Sequence, residues 1–291
     1  MFLSPALQAE LMEREALPGE FARQVEALWG PLANWIAGRH AAAGAPRVIG
    51  LCGPQGSGKT TGAGAMWLML TERGLNTVVL ALDNLYLGKA ERTELAARVH
   101  PLFATRGPPG THDVALGLGA LSALPKAGKM RLPHFDKATD DRAPMEQWPT
   151  VAGPADIVIF EGWCVGAVAQ EAVELAAPVN ALEAEEDRAG VWRCHVNAAL
   201  AGDYQRLFGR IDGLIQLRAP SFAVVADWRL EQERKLRART DMGMSDAEVR
   251  RFIQHCERLT RHIDAEMPCR ADVVANLGDD RAVRTLELAE R

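Results

Sequence analysis

The sequence has no excess of positive charge. Its 291 residues carry 33 Lys and Arg against 38 Asp and Glu, a formal charge of −5. Chains that grip nucleic-acid backbones are usually basic, because their affinity comes from neutralising phosphates, so nucleic acid is not an expected partner. No apolar run approaches the roughly 20 residues that span a bilayer, and no membrane partner is expected. The five cysteines, Cys52, Cys164, Cys194, Cys256 and Cys269, form no CxxC pair and no Cys/His cluster with zinc spacing. They read as reduced thiols acting as small buried hydrophobes. Glu10, Glu13, Glu15 and Glu20 interrupt the first residues, unlike a secretory leader. These absences lead to the expectation of a soluble, cytoplasmic protein. There is no internal repeat and no NKxD guanine motif. The one DxxG string, Asp187-Arg188-Ala189-Gly190, lies in an acidic stretch rather than at a strand end, which disfavours a GTPase switch.

What is present is a core. Hydrophobic residues make up 48% of the chain and charged residues 24%, which supports one large α/β domain or two small ones and argues against disorder. Residues 6–42 have helical spacing: Leu7, Leu11 and Met12, then Phe21, Val25, Leu28 and Trp29. Pro18-Gly19 punctuates that stretch, and Pro31 suits the start of a further helix. Short apolar runs at 47–52, 77–82, 157–160, 213–217 and 273–275 read as buried strands. Helical stretches at 59–73, 114–124 and 222–239 alternate with them, and Ser245-Asp246-Ala247-Glu248 is a capping box opening another helix to about Glu266. The stretch 181–189 is acidic and reads as a solvated face or an insertion. Continuous apolar strands alternating with helices predict a mainly parallel sheet covered by helices on both faces. Right-handed crossovers then gather the strand C-termini along one edge, where ligands bind.

The loop after the first strand, Gly53-Pro54-Gln55-Gly56-Ser57-Gly58-Lys59-Thr60, matches GxxxxGK[ST] in full. Its glycines let backbone N–H groups converge on phosphate oxygens, and the helix beginning at Lys59 adds its positive end. Lys59 is expected to reach the β- and γ-phosphates, the Thr60 hydroxyl to ligate Mg²⁺, and Thr61 to complete the nucleotide site. A chance glycine-rich turn is the alternative, and the strand before and helix after argue against it. Asp83 and Glu161 each follow an apolar strand. A carboxylate at a buried sheet edge is costly unless it meets a cation or proton donor. Glu161 is therefore a candidate for Mg²⁺, directly or through water. Asp83 is a candidate general base, a metal ligand, or both.

The region 100–150 is long, polar and rich in Pro and Gly, and loops of this length tend to be functional. Arg106, His112, Asp113, His134, Lys137 and Arg142 are its candidate contacts to a small polar or anionic acceptor. For each alone, a plain surface residue is the competing reading. Downstream, Arg229, Arg234 and Arg237 mark a charged helix that could close as a lid and exclude water. A solvated helix face held by pairs such as Glu233 with Arg237 is the alternative.

Several strings together resemble one family. These are the phosphate loop, Asp83-Asn84-Leu85-Tyr86, Arg106-Gly107-Pro108-Pro109-Gly110-Thr111-His112-Asp113, Glu161-Gly162-Trp163 and Asp227-Trp228-Arg229-Leu230-Glu231-Gln232-Glu233. They are similar to the plant-type D-glycerate 3-kinase family, which belongs with phosphoribulokinase, uridine kinase and bacterial pantothenate kinase. The resemblance covers about residues 46–280. It implies a three-layer P-loop NTPase fold over 46–291, with residues 1–45 as an N-terminal helical extension. It implies ATP- and Mg²⁺-dependent phosphorylation of D-glycerate to 3-phosphoglycerate. It also implies that Asp83 occupies the base position and that Thr60, Asp83 and Glu161 surround Mg²⁺. Asn84, Leu85 and Phe135 depart from residues common in the wider group. The alternatives are a kinase of the same fold acting on a nucleoside, pantothenate or a sugar phosphate, and a non-catalytic nucleotide-binding module.

Overall fold

Six strands form one sheet in a computed structural model that describes residues 21–240 and 243–289, the side chains of 239 and 240 excepted. The expected helical spacing over 6–20, with Leu7, Leu11, Met12 and Pro18-Gly19, lies outside the described residues.

The first helical stretch is α1 (Phe21–Gln24), a π-helical turn Val25–Trp29, and α2 (Gly30–Ala43) with Pro31 in its first turn. It leads to β1 (Arg47–Cys52), the glycine loop, α3 (Lys59–Thr71) and β2 (Thr77–Ala81). Next come α4 (Lys89–Arg98) and α5 (Val114–Ala123). The region read as long and loop-rich contains two small antiparallel ribbons: β3 (Gly128–Arg131) with β6 (Thr150–Gly153), and β4 (Phe135–Asp136) with β5 (Asp141–Arg142). The chain then returns to the sheet as β7 (Ile157–Gly162). Three short helices follow: α6 (Ala181–Glu186), α7 (Val191–Ala199) and α8 (Gln205–Phe208). The rest is β8 (Gly213–Arg218), α9 (Phe222–Thr240), α10 (Asp246–Glu266), β9 (Val273–Leu277) and β10 (Val283–Leu288).

Strands β2, β7, β1, β8 and β9 are mutually parallel, and β10 alone runs antiparallel. Side chains alternate between two cores, as the period of two requires. Val158 and Phe160 of β7 point into one core with Leu121 of α5 and Leu259 of α10. Ile157 and Ile159 point into the other with Met66 of α3, Trp29 and Ile36. The mainly parallel, doubly covered sheet expected from the apolar runs is the observed one.

The small residues of α3 split into two kinds. A Cβ on Gly62 would fall inside the Trp29 indole, while one on Gly64 would meet open space. Gly62 thus permits the N-terminal helices to lie flat on α3. The capping box at Ser245 forms as expected: Ser245 Oγ accepts from Glu248 N, and Glu248 Oε2 accepts from Ser245 N at 2.7 Å.

The acidic stretch 181–189 needs correction. Glu183 and Asp187 are buried, not solvated. Glu183 takes both arms of the Arg258 guanidinium at 2.8 and 2.7 Å, and Asp187 pairs with Arg193 at 3.0 Å. The partners come from distant or later sequence, and pairing is what lets a carboxylate sit inside a fold.

Candidate active site

The site lies at the carboxyl edge of the sheet, where β1, β7 and β2 end together. Glu161 stands opposite Leu51 of β1 and Ala81 of β2. It is the next-to-last residue of β7 itself, inside the strand and not just past it. Asp83 sits two residues beyond β2, in a 3₁₀ turn Leu82–Leu85. From the other side of Glu161, Thr60 on the first turn of α3 donates its hydroxyl to Glu161 Oε1 at 2.9 Å.

The loop itself is wedged in place. Gly56 has φ +76, and a Cβ there would come within 2.7 Å of Trp228 Cβ and 3.0 Å of its backbone. Both facts demand glycine. Gln55 Nε2 donates to Cys256 Sγ at 3.1 Å. Ser57 Oγ is buried with no hydrogen-bond partner among the described residues. A polar atom inside a converging loop costs free energy unless something meets it, and phosphate oxygen is the chemistry that the loop geometry suits.

Asp83 is held by two donors. Tyr86 OH donates to Oδ1 at 2.8 Å and Lys137 Nζ to Oδ2 at 2.7 Å. Burial works to raise its pKa, but Lys137, Lys59 and the two hydrogen bonds outweigh it and hold the carboxyl well below the usual range. Asp83 is therefore a carboxylate at any physiological pH. Glu161 goes the other way: burial raises its pKa, opposed by Lys59 and by the Thr60 hydroxyl. A buried carboxylate with that imbalance calls for a further cation.

A cavity of about 380 Å³ opens between these groups, lined by Thr60, Asp83, Asn84, His134, Phe135, Lys137 and Glu161 among others. Of the six acceptor candidates, His134 and Lys137 line it. Arg106 sits behind Phe135, its guanidinium 5.6 Å from the ring centroid and paired with Asp140.

His112, Asp113 and Arg142 lie outside this lining, and their contacts are with the scaffold. Asp113 caps α5 by accepting from Leu116 N at 2.9 Å, and it takes Arg142 Nη2 at 3.1 Å. His112 is buried and stacks on Tyr86, centroids 4.6 Å apart. Tyr204 OH accepts from Gly110 N at 3.0 Å and lies 2.6 Å from His112 Nδ1. Burial pushes the imidazole down to about 4, so His112 is neutral, and one hydrogen bond joins its Nδ1 to the Tyr204 hydroxyl. A relay of contacts thus runs Gly110–Tyr204–His112–Tyr86–Asp83. The string at 106–113 builds the floor under Asp83 instead of the cavity wall.

The three arginines of α9 are engaged with the fold. Arg229 pairs with Glu233 at 2.6 Å and lies over Phe252. Arg237 pairs with Asp246 at 2.6 Å, and Arg234 joins the same carboxylate. Glu233 therefore pairs one turn back with Arg229 rather than one turn forward with Arg237. Asp246, in the first turn of α10, draws Arg237 away.

Sequence reasoning missed Tyr86 and Tyr204, which support Asp83, and Arg281, whose Nε donates to the Gly56 carbonyl at 2.7 Å. Tyr86 lay in a string already singled out. Nothing in the local sequence marks Tyr204 or Arg281, because their partners are about 50 or more residues away.

Comparison with known proteins places the chain among kinases. The model of the phosphoribulokinase/uridine kinase family matches residues 48–177. The uncharacterized kinase mug58 of Schizosaccharomyces pombe is 39% identical over 223 residues, which is 73% of this chain and 79% of that protein. The chloroplastic D-glycerate 3-kinase of Arabidopsis thaliana is 32% identical over 218 residues, 72% of this chain and 45% of that protein. Among solved structures, D-glycerate 3-kinase from Cryptococcus neoformans var. grubii superposes with a TM-score of 0.76 at 26% identity, covering 90% of this chain and 99% of that one.

Proposed function

The chain belongs to the phosphoribulokinase/uridine kinase family of P-loop kinases, and on that premise we propose that it transfers the γ-phosphoryl group of ATP to a hydroxyl of D-glycerate, giving 3-phosphoglycerate. The observation that carries the reading is the ionised Asp83 facing a cavity that also holds Thr60 and Glu161.

The donor set suits Mg²⁺. Thr60 and the two carboxylates are hard oxygen ligands, and Mg²⁺ sites of this kind use one or two carboxylates together with substrate phosphates. When bound, Mg²⁺ neutralises charge on the phosphoryl oxygens.

The chain's own residues then have these roles. The loop amides and Lys59 hold the β- and γ-phosphates. Asp83, fixed by Tyr86, accepts the proton of the attacking hydroxyl. Lys137 supplies positive charge and His134 a hydrogen bond for the acceptor carboxylate. Phe135, backed by Arg106, closes one wall. The cavity, about 380 Å³, falls within the roughly 300–1,000 Å³ typical of ligand pockets and has room for a small acceptor beside the terminal phosphate. Positioning and charge do most of the work in such a transfer.

The test is acceptor-dependent ADP release across D-glycerate, L-glycerate, lactate, pantothenate and uridine, with Lys59→Ala as the blank. ADP formed with D-glycerate and little else supports the reading. ADP formed with uridine or pantothenate instead moves the acceptor elsewhere in the family. Acceptor-independent traces at the level of the blank would leave only a nucleotide-binding module.

A further inference from the structure

We propose that Arg281 is a positioning residue that clasps the phosphate loop from behind and locks it to helix α9. This deepens the reading of Gly53–Thr60 as a phosphate loop and rests on it. Three independent contacts of one side chain converge there. The Arg281 Nε donates to Gly56 O at 2.7 Å. Its Nη2 donates to Glu231 Oε2 on α9 at 2.7 Å. Its guanidinium stacks over the Trp228 indole, 5.2 Å from the ring centroid. Trp228 in turn donates Nε1 to Asp279 O at 2.7 Å, so the turn and the helix hold each other.

The backbone adds a separate argument. Arg281 has φ +64 in the tight turn between β9 and β10, where a residue with a Cβ is disfavoured and glycine would be at ease. A strained residue persists where the surroundings over-determine it, and such positions cluster at functional sites. Here the side chain is the reason for keeping a strained residue. A planar fork can satisfy a carbonyl and a carboxylate together while stacking on an aromatic face, which glycine, lysine or glutamine cannot.

The consequence lies in the loop. Gly56 is pressed against the backbone of Trp228. Fixing its carbonyl toward Arg281 fixes the Gly56–Ser57 peptide, whose N–H closes the turn on Pro54 O at 3.3 Å, and with that turn the course of the loop leading to Lys59. Without the clasp, the loop samples other peptide orientations and loses pre-organisation. Because Glu231 shares the guanidinium, any movement of α9 is also transmitted to the loop.

The strain offers a clean test. Arg281→Gly removes the clasp and relieves the backbone together, so the fold is not endangered by the turn itself. Arg284→Ala is the control: its partner is Asp280, and both are exposed on the same hairpin. Binding of ATP and of inorganic tripolyphosphate is measured by calorimetry on the full chain, beside thermal melting. Losing a charge-assisted hydrogen bond that orders the loop predicts that Arg281→Gly weakens both ligands by the same factor, roughly 10- to 100-fold. Arg284→Ala leaves both within about threefold. Arg281→Lys is intermediate, since one ammonium can serve the carbonyl or the carboxylate but not the stack.

Unchanged tripolyphosphate affinity in Arg281→Gly overturns the clasp, whether ATP binding falls or not. If ATP alone is weakened, the residue acts on the nucleoside and not on the loop. Equal losses in Arg284→Ala also overturn it, because the hairpin as a whole would then be responsible. A wild-type chain that binds neither ligand would remove the phosphate-loop reading along with the clasp.

Discussion

Replacing Asp83 by Asn separates the two jobs that the carboxylate could do. The amide is the same size and still accepts the Tyr86 hydroxyl through its oxygen, so the local shape survives. Lys137 loses its counter-charge, but its side chain is 60% exposed and Asp83 is 34% exposed. The ammonium can turn into water, and exposed pairs contribute about 1 kcal/mol or less, so the variant stays folded. A general base contributes typically ~10²–10⁴-fold, which is about 3–5 kcal/mol of transition-state stabilisation. The expected result in a coupled ADP assay with saturating ATP and acceptor is a kcat lower by that factor. The affinity for Mg·ATP, measured by calorimetry, should stay within about threefold. A kcat within fivefold of wild type would refute the base assignment. A collapse of Mg·ATP affinity would instead make Asp83 chiefly a metal ligand.

Three further outcomes follow from the packing and burial. Gly62→Ala places a methyl inside the Trp29 ring envelope; overpacking costs about 1–3 kcal/mol, so the melting temperature should fall by about 2–10 °C, and an unchanged value would mean that the N-terminal helices are not seated on α3. Arg258→Ala leaves Glu183 buried and unpaired, a loss of about 3–5 kcal/mol that urea denaturation would read as a midpoint lower by about 1–2 M; a shift under about 0.3 M (~0.8 kcal/mol) would show that the pair is dispensable. His112 and His255 are pushed by burial to about 4 from the 6.5 of a free imidazole. Between those values the unfolded chain binds more protons, so their contribution is intact above pH 6.5 and stability falls as the pH drops toward 4. His112→Phe keeps the stack on Tyr86 and should make the melting temperature less steep over that window, and an identical slope in the variant would count against a buried neutral His112.

Much of the fold could be read from local pattern. The strands of the parallel sheet are short apolar runs because both of their faces are covered, and nothing else in the chain looks like that. The capping box at Ser245 and the loop Gly53–Thr60 carry their geometry in adjacent residues. Strand β10 was missed because Val283-Arg284-Thr285-Leu286-Glu287-Leu288 is a half-exposed edge, with charges where a buried strand has none. The ribbons β3–β6 and β4–β5 were missed for a similar reason, being too short and polar to show a period. Glu183 and Asp187 misled because charge alone suggests solvent. Their burial depends on Arg258 and Arg193, one of them 75 residues away. The site divides in the same manner. Asp83 and Glu161 sit at strand ends, Lys59 and Thr60 open the helix after the glycine loop, and the topology gathers all four. The division of the 100–150 region into wall and floor could not be read, because it depends on which side chains Tyr86, Phe135 and Tyr204 intercept.

The central claim is transfer to the terminal hydroxyl of a three-carbon hydroxy acid, and the chemical identity of the product tests it most directly. The protein is incubated with ATP, Mg²⁺ and D-glycerate, and the mixture is followed by phosphorus NMR with mass spectrometry. One new phosphomonoester, 3-phosphoglycerate, is expected, formed in equal amount to ADP and not formed by Lys59→Ala. Phosphate appearing at the 2-position, or as free inorganic phosphate with the glycerate unchanged, would contradict it.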